Sequence, residues 1–497
     1  MTIGPYGASA FSAQRSTDLF RSIKGDLSAT QAQLSTGRAA TTYSGLGAGG
    51  AGTSLALRSR LSTLDTYGAN IQDGTLRLGL MSAGLDQMGK LADTLREGLG
   101  ATTGGITAGV TNTGDIARAG FSAMVDILNT DLNGRYLFSG RAADTRPVAA
   151  ADLMLAGDAT HAGLSTLITQ RKAADAGPDG MGRLMLTASG TAVSLAEEAA
   201  GLPFGMKLVS STSSGAGVTA TLAGTPPAAD LSVGAQPSAG DTIEITLQLP
   251  DGTQEAVRLV AGAASSSGSD TGYALGATEA DTATNIAAAL AQAVKSVAAT
   301  ALPSASAMQT ATDFFAADGA NPPARVAGPP YDTATATTPG TAGNTVIWYA
   351  GDTSGAPRDT APLRIGDNRT IGLGAEANEP VFRQALAAFA ALAGDSFSAS
   401  DPNATARYAA LTSRAATGIA PGSLSGITKD LSIATAALKT ASSNLAVTKN
   451  QTQDTLGHIE NADPNEAAVR LMATQTRLQA SYQVTATLQK LSLVNYL

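Results

Sequence analysis

The sequence predicts an α+β fold: a long antiparallel helical bundle or coiled coil formed by the N- and C-terminal segments, with a β-rich outer domain inserted between them. Three observations predict it. Apolar residues recur every three or four positions through both ends of the chain, the spacing of one helix face. The middle, roughly residues 144–374, loses that period and is rich in Ala, Ser, Thr, Gly and Pro. Neither end can bury its apolar seam alone, so the two must meet.

Ala13, Ser16, Phe20, Ile23, Leu27, Thr30 and Leu34 form the first seam. Ser35-Thr36-Gly37 then supplies helix-ending chemistry, with Gly37 suited to a left-handed conformation. Tyr43 to Gly52 (YSGLGAGGAG) reads as a flexible joint whose hinge residues are Gly45, Gly47, Gly49 and Gly50. A second seam begins at Leu57, Leu61 and Leu64 and continues through Ile71, Leu78, Leu85, Met88, Leu95 and Leu99. Unbroken, it is about 43 residues, or roughly 65 Å, long. Gly68, Gly74, Gly79, Gly84 and Gly89 each weaken that helix, so tertiary packing must hold it. A third helix is predicted from Asp115 to Asn133, with Phe121, Met124 and Leu128 on one side. Asn133-Gly134 turns the chain into a short strand, Arg135 to Phe138.

In the middle, Thr242 to Leu249 alternates polar and apolar residues, Pro250-Asp251-Gly252 makes a turn, and Gln254 to Val260 returns as the partner strand. Asp281 caps an Ala-rich helix, Thr282 to Ala298, and Thr345 to Tyr349 reads as a buried strand carrying the single tryptophan. Beyond the middle, Leu431, Leu438, Leu445, Thr452 and Ile459 stand seven residues apart, with Ala434, Ala441 and Thr448 on the companion positions. Heptads sustained this long specify a long helix. It stops near Asn461, and Asp463-Pro464-Asn465-Glu466 starts another, with Asp463 as N-cap, Pro464 first and Glu466 placed to complete a capping box. Leu471, Leu478, Val484, Leu488 and Leu491 form its apolar face.

Composition excludes more than it suggests. At 497 residues the chain has room for roughly three domains. With 32 basic against 40 acidic residues it has no positive excess to hold nucleic acid or an anionic membrane. Cysteine is absent, which removes disulfides, thiolate nucleophiles and sulfur-ligated zinc. The two histidines, His161 and His458, are nearly 300 residues apart, so His-based catalysis would rest on one alone. No cleavable secretory signal is visible at Met1-Thr2-Ile3-Gly4-Pro5, and the apolar window Ala385 to Ala393 is far short of the ~20 residues of a membrane span. Gly45 to Gly50 matches GxGxxG, but a dinucleotide site needs a preceding strand, and a helix and a glycine stop precede it. Glu197-Glu198 reads as helix-capping or solvated acid, and the sequons at Asn368, Asn403 and Asn450 are short, common patterns. The reading is a structural protein, not an enzyme, with no cofactor and no metal.

The ends carry a resemblance. Gln31-Ala32-Gln33-Leu34-Ser35-Thr36-Gly37-Arg38 resembles the Q-x-x-L-S-T-G that closes the first helix of bacterial flagellins. Leu478 to Thr485 (LQASYQVT) and the final Leu491 to Leu497 (LSLVNYL) resemble the flagellin C-terminus, the ending being similar to the alphaproteobacterial type. Tyr43 to Gly49, Leu57-Arg58-Ser59-Arg60-Leu61, Ala377-Asn378-Glu379-Pro380 and Asp401 to Tyr408 are similar to the same subgroup. The hairpin around Asp251-Gly252 is loosely similar to an accessory domain of some of these flagellins. Arg135-Tyr136-Leu137-Phe138-Ser139-Gly140 also resembles hook-associated protein 3, the hook–filament junction protein.

The resemblance implies a subunit of the extracellular flagellar filament, exported unfolded through a type III channel and serving motility. It divides the chain into a terminal coiled-coil polymerisation domain (residues 1–42 and 463–497), a helical filament-tube domain (43–143 and 375–462) and a surface-exposed outer domain (144–374, with an insert at about 205–350). Implied partners are other copies of the chain, the hook-associated junction and cap proteins and an export chaperone, with neither nucleic acid nor membrane insertion. The seam residues named above become polymerisation seams, each buried side chain stabilising by about 1.5–3 kcal/mol only once assembled. The outermost ends, Met1 to about Gly37 and Asp463 to Leu497, are then expected to be disordered in the free subunit. Many flagellins carry an arginine-rich helix segment read by the vertebrate innate receptor; here Lys90 to Gly98 corresponds, keeping Arg96 and Glu97 without the fuller motif. A junction protein and a surface adhesin are the alternatives.

Overall fold

A computed structural model describes residues 5–100, 112–262, 270–398 and 400–494. Helix α1 (Pro5–Thr36) ends where expected: Gly37 adopts φ +68° and its N–H donates to Gln33 O at 2.8 Å. A single 3₁₀ turn (Tyr43–Leu46) follows, and α2 (Gly47–Gly100) begins at once. The joint is therefore narrower than the glycine run suggests, and α2 is 54 residues long rather than about 43. Leu64, Ile71, Leu78, Leu85, Ala92 and Leu99 are buried, interleaved with Tyr67, Met81, Met88 and Leu95. That heptad stripe supplies the packing the internal glycines cannot. Helix α3 (Asn112–Leu128) stops short of Asn133 because β1 (Asp131–Leu132) and β2 (Arg135–Tyr136) close a hairpin there, with Asn133 and Gly134 at φ +54° and +77°. Leu137 and Phe138 leave the hairpin and are buried.

Two short helices, α4 (Ala151–Ala156) and α5 (Leu164–Ala176), lead into the β-rich part. Its strands are β3 (Leu184–Ser189), β4 (Ala192–Glu197), β5 (Lys207–Ser213), β6 (Val218–Ala223), β7 (Ala228–Val233), β8 (Thr242–Gln248), β9 (Gln254–Ala261) and β10 (Asp270–Tyr273). They form two four-stranded sheets, ordered β3-β4-β7-β6 and β10-β9-β8-β5, antiparallel except for the β9–β10 pair. In β8, Ile243, Ile245 and Leu247 are buried while Glu244 is exposed, the alternation of a strand with one covered face. Helix α6 (Glu279–Ala299) packs Ile286, Leu290 and Val294 into the same core. Its N-cap is Thr278, with Asp281 three residues in: the two exchange capping-box hydrogen bonds, so Asp281 supports the cap rather than being it.

Helix α7 (Ala301–Ala316) follows, then the two-stranded pair β11 (Arg325–Val326) and β12 (Thr337–Thr338). By length and composition the Glu279–Ala316 stretch is apolar enough to cross a membrane, but half of its apolar window is buried inside the protein. Thr345 to Tyr349 is buried as expected but is not a strand. Thr345 and Tyr349 make isolated bridges with Ala162 and Val148, and Trp348 Nε1 donates to Ala317 O at 2.7 Å. The last elements are β13 (Pro362–Gly366), β14 (Arg369–Gly372), α8 (Pro380–Gly394), α9 (Ala404–Gly418), α10 (Ser425–Glu460) and α11 (Pro464–Val494). The apolar window Ala385 to Ala393 is the buried body of α8. Asp463 caps α11, accepting the Asn465 N–H at 2.8 Å, whereas Glu466 reaches forward to Arg470 at 2.6 Å instead of closing a capping box.

The chain divides into two compact units: Met1–Thr75 with Leu363–Ile371 and Thr435–Leu497, and Leu76–Pro362 with Gly372–Ala434. The second holds an aromatic core in which Phe121 meets Phe315 at 6.0 Å and Phe315 meets Trp348 at 5.2 Å. Segments far apart in sequence share it. The turn of the β8–β9 hairpin is fixed to α9 by Arg414, whose guanidinium donates to Asp251 at 2.8 Å and Thr253 at 3.1 Å.

Candidate functional site

The apolar seams of the first unit rest on two antiparallel helix pairs. In the outer pair, α1 and α11, Ile23, Thr30 and Ala467 are buried, and Phe20 stacks on Tyr482 with ring centroids 5.2 Å apart. Phe20, Leu27, Leu471 and Leu478 are half-buried, while Leu34 and Val484 are exposed. Leu488 and Leu491 fall on α11, but their side chains lie outside the described residues, as does that of Ala13. Period alone did not reveal that Leu19, Val469 and Met472 are also exposed, Val469 and Met472 by two thirds. Some apolar residues thus hold the pair together while others are left exposed.

The inner pair is the first part of α2 against the last part of α10. Leu64 and Leu438 are buried; Leu57, Leu61 and Leu445 are half-buried; Leu55 and Val447 are exposed. Burial fades along the C-terminal heptads, from Leu438 and Ala441 to the half-covered Leu445, Thr452 and Ile459. Leu431, first of the series, is buried in the second unit. Lys449 pairs with Asp65 at 2.6 Å.

At the joint, polar side chains clamp α2 to the end of α10, and backbone bonds link the end of α1 to the same place. Arg58 donates twice to Glu460, at 2.8 and 2.6 Å, and Ser54 Oγ donates to the same carboxylate. These bonds, led by the one from Arg58, hold the Glu460 carboxyl down at about 2. Ala39 N donates to Glu460 O and Ala462 N to Gly37 O, so the turns ending α1 and α10 are stitched through the backbone. Of the hinge glycines, Gly47 takes φ +75°, Gly45 lies in the 3₁₀ turn, and Gly49 and Gly50 are already helical. The sequence reading missed a second clasp: Asp367, in the β13–β14 turn, takes Arg60 at 2.6 Å and the Tyr67 hydroxyl at 3.0 Å. Gly366-Asp367-Asn368 signals a turn, but nothing in the sequence names its partner.

His161, Glu197, Glu198 and Arg96 have structural partners. His161 Nδ1 lies 2.8 Å from Asp158 and 2.9 Å from Thr160, a local turn that the D-x-x-H spacing signals. The Thr160 N–H and His161 hold Asp158 well below the usual carboxylate range. Glu197 and Glu198 cap no helix: Glu197 ends β4 and accepts the Leu208 N–H at 3.0 Å, and Glu198, the next residue, pairs with Arg183. Arg96 is occupied by Asp93 and Ile419 O. Helices flank the GxGxxG run, so the strand a dinucleotide site requires is missing there. Among the described residues no three His, Asp or Glu converge as metal ligands.

Two family models match the chain. Residues 9–143 match the bacterial flagellin N-terminal helical region, and residues 417–497 match the bacterial flagellin C-terminal helical region. No curated protein matches it.

Proposed function

The chain belongs to the bacterial flagellin family, and on that premise we propose that it is the filament flagellin itself, polymerising through its paired ends. The family is structural, and its members form the extracellular flagellar filament. The observation that carries the finer reading is the set of large apolar side chains left exposed on the paired helices of the first unit, Leu19, Leu34, Val469, Met472 and Val484. Several large apolar side chains exposed on one helix pair mark an interaction surface. A surface that meets a different face on the next copy makes a heterologous contact that does not close, the geometry of an open helical filament. Of the named seam residues, Leu64, Leu431, Leu438 and Ile23 are already buried within the chain, so the proposed polymerisation residues are those left half-buried or exposed, Phe20, Leu27, Leu34, Leu57, Leu61, Leu445, Leu471, Leu478 and Val484, with Leu488 and Leu491. The joint at Gly45–Gly50, with the backbone bonds of Ala39 to Glu460 and Ala462 to Gly37, sets the angle between the two helix pairs. Export through the flagellar channel, an export chaperone and contacts with junction and cap proteins complete the proposal.

The junction protein is the second reading, favoured by the Arg135 to Gly140 motif. Negative-stain electron microscopy of purified subunit, alone and seeded with short filament fragments in sulfate, separates the two. Long filaments support flagellin; seeds that are capped without growing support the junction protein. Indifference to seeds would sink both and favour an adhesin displayed by the outer sheets.

A further inference from the structure

In the second unit, three segments meet around one buried carboxyl. Gly140 N donates to Ala375 O at 3.2 Å, Ala377 N to Phe138 O at 2.8 Å, and Asp352 N to Ser139 O at 3.1 Å. Glu376 sits inside this junction, 3% exposed, and its Oε1 has no hydrogen-bond partner among the described residues. The junction is close: a Cβ on Gly140 would stand 3.0 Å from that oxygen and 2.8 Å from Asp352 Cβ. A charged carboxylate so placed loses its hydration and gains no hydrogen bond at Oε1 in return, and the charges of Arg358 and Arg141 offset that only in part.

The neighbouring carboxylates, Asp352 and Glu379, make ionisation worse. Asp352 stays charged, its carboxyl held low by Ser354. Glu379 accepts the Glu376 N–H at 3.1 Å. The two nearby guanidinium groups are engaged elsewhere: Arg358 with Glu379, Gly374 O and Asp430, and Arg141 with Ser354 and Asp352. The fifth group facing Glu376 is Tyr349, whose hydroxyl donates to Asp352 O at 2.8 Å and whose burial keeps it neutral.

We propose that Glu376 is a proton-operated latch: uncharged, it lets the Phe138–Gly140, Tyr349–Asp352 and Gly374–Glu379 segments close on one another, and charged, it loosens that junction. Burial first, then Asp352 and Glu379, push its carboxyl up to about 7, within the range where the medium around a cell varies. A folded value above the unfolded one contributes stability that is complete below about 4.5 and is lost as pH rises through about 7. The latch operates whether or not the chain assembles.

Trp348, the single tryptophan, adjoins Tyr349 and reports on the junction. Its fluorescence, followed on the full chain from pH 5 to 9, should shift with a midpoint near 7. Glu376→Gln should abolish the shift, Asp352→Asn should move it to lower pH, and His161→Gln should leave it unchanged. At pH 8, Glu376→Gln should melt above the wild type, and at pH 5 with it. A flat wild-type profile, a shift that survives in Glu376→Gln, or one that vanishes in His161→Gln would overturn the latch. Should Glu376→Gln not fold, Asp352→Asn still decides, because an unmoved midpoint would overturn it.

Discussion

Glu460 and Glu376 are the same residue type driven in opposite directions by what surrounds them. Glu460 is wrapped by Arg58 and Ser54 and held down at about 2; Glu376 is stranded among carboxylates and raised to about 7. For Glu460 the stabilising contribution is present above the ordinary glutamate range and is lost as pH falls through about 2. Glu460→Gln should therefore melt below the wild type at pH 7, and the two should converge near pH 2 in a calorimetric series. A gap that persists at pH 2 would assign the effect to packing. In the α2 heptad stripe, Met88 is fully buried. Met88→Ala should cost about 2–5 kcal/mol in denaturant unfolding, the range for truncating a buried core side chain.

At the scale of elements, the outer helix pair and the α2 stripe differ in what covers them. From Leu64 to Leu99 the stripe is buried within the chain, whereas α1 and α11 leave several large apolar residues uncovered. Amides of α1 and α11 should exchange rapidly in dilute subunit and slowly in filaments, while those of α2 between 64 and 99 stay protected in both. Equal protection in the dilute subunit would contradict the idea that assembly orders the ends. The long helices were legible because a heptad is repeated many times over, and the helix ends because Gly37, Asp463 and Pro464 act locally. The β8–β9 hairpin was legible for the same reason: alternation and a Pro-Asp-Gly turn are short-range signals. What escaped depends on distant partners. Trp348 is buried by α7 rather than by a strand ladder, and neither Arg60 with Asp367 nor Arg414 with Asp251 is encoded in any spacing. Of the assembly surface, period gave the apolar positions, Leu34 and Val484 among them, but not Leu19, Val469 or Met472, nor which positions stay exposed, because exposure is decided by the face the partner helix takes.

For the molecule as a whole, the middle of the chain is less separable than its composition suggests. Phe314, Phe315 and Trp348 lie within residues 205–350, yet they share a core with Phe121. Deleting 205–350 should therefore abolish the cooperative melt of the second unit, and a wild-type-like melt would show that the insert is a free module. The central claim is that apolar residues left exposed on the terminal helices are covered by other copies. Val469 tests it most directly, being 67% exposed and so dispensable to the subunit's own fold. Seeded growth of Val469→Asp, viewed by negative-stain electron microscopy beside its circular-dichroism melt, should give an unchanged subunit that no longer extends filaments. Filaments as long as those of the wild type would contradict the account.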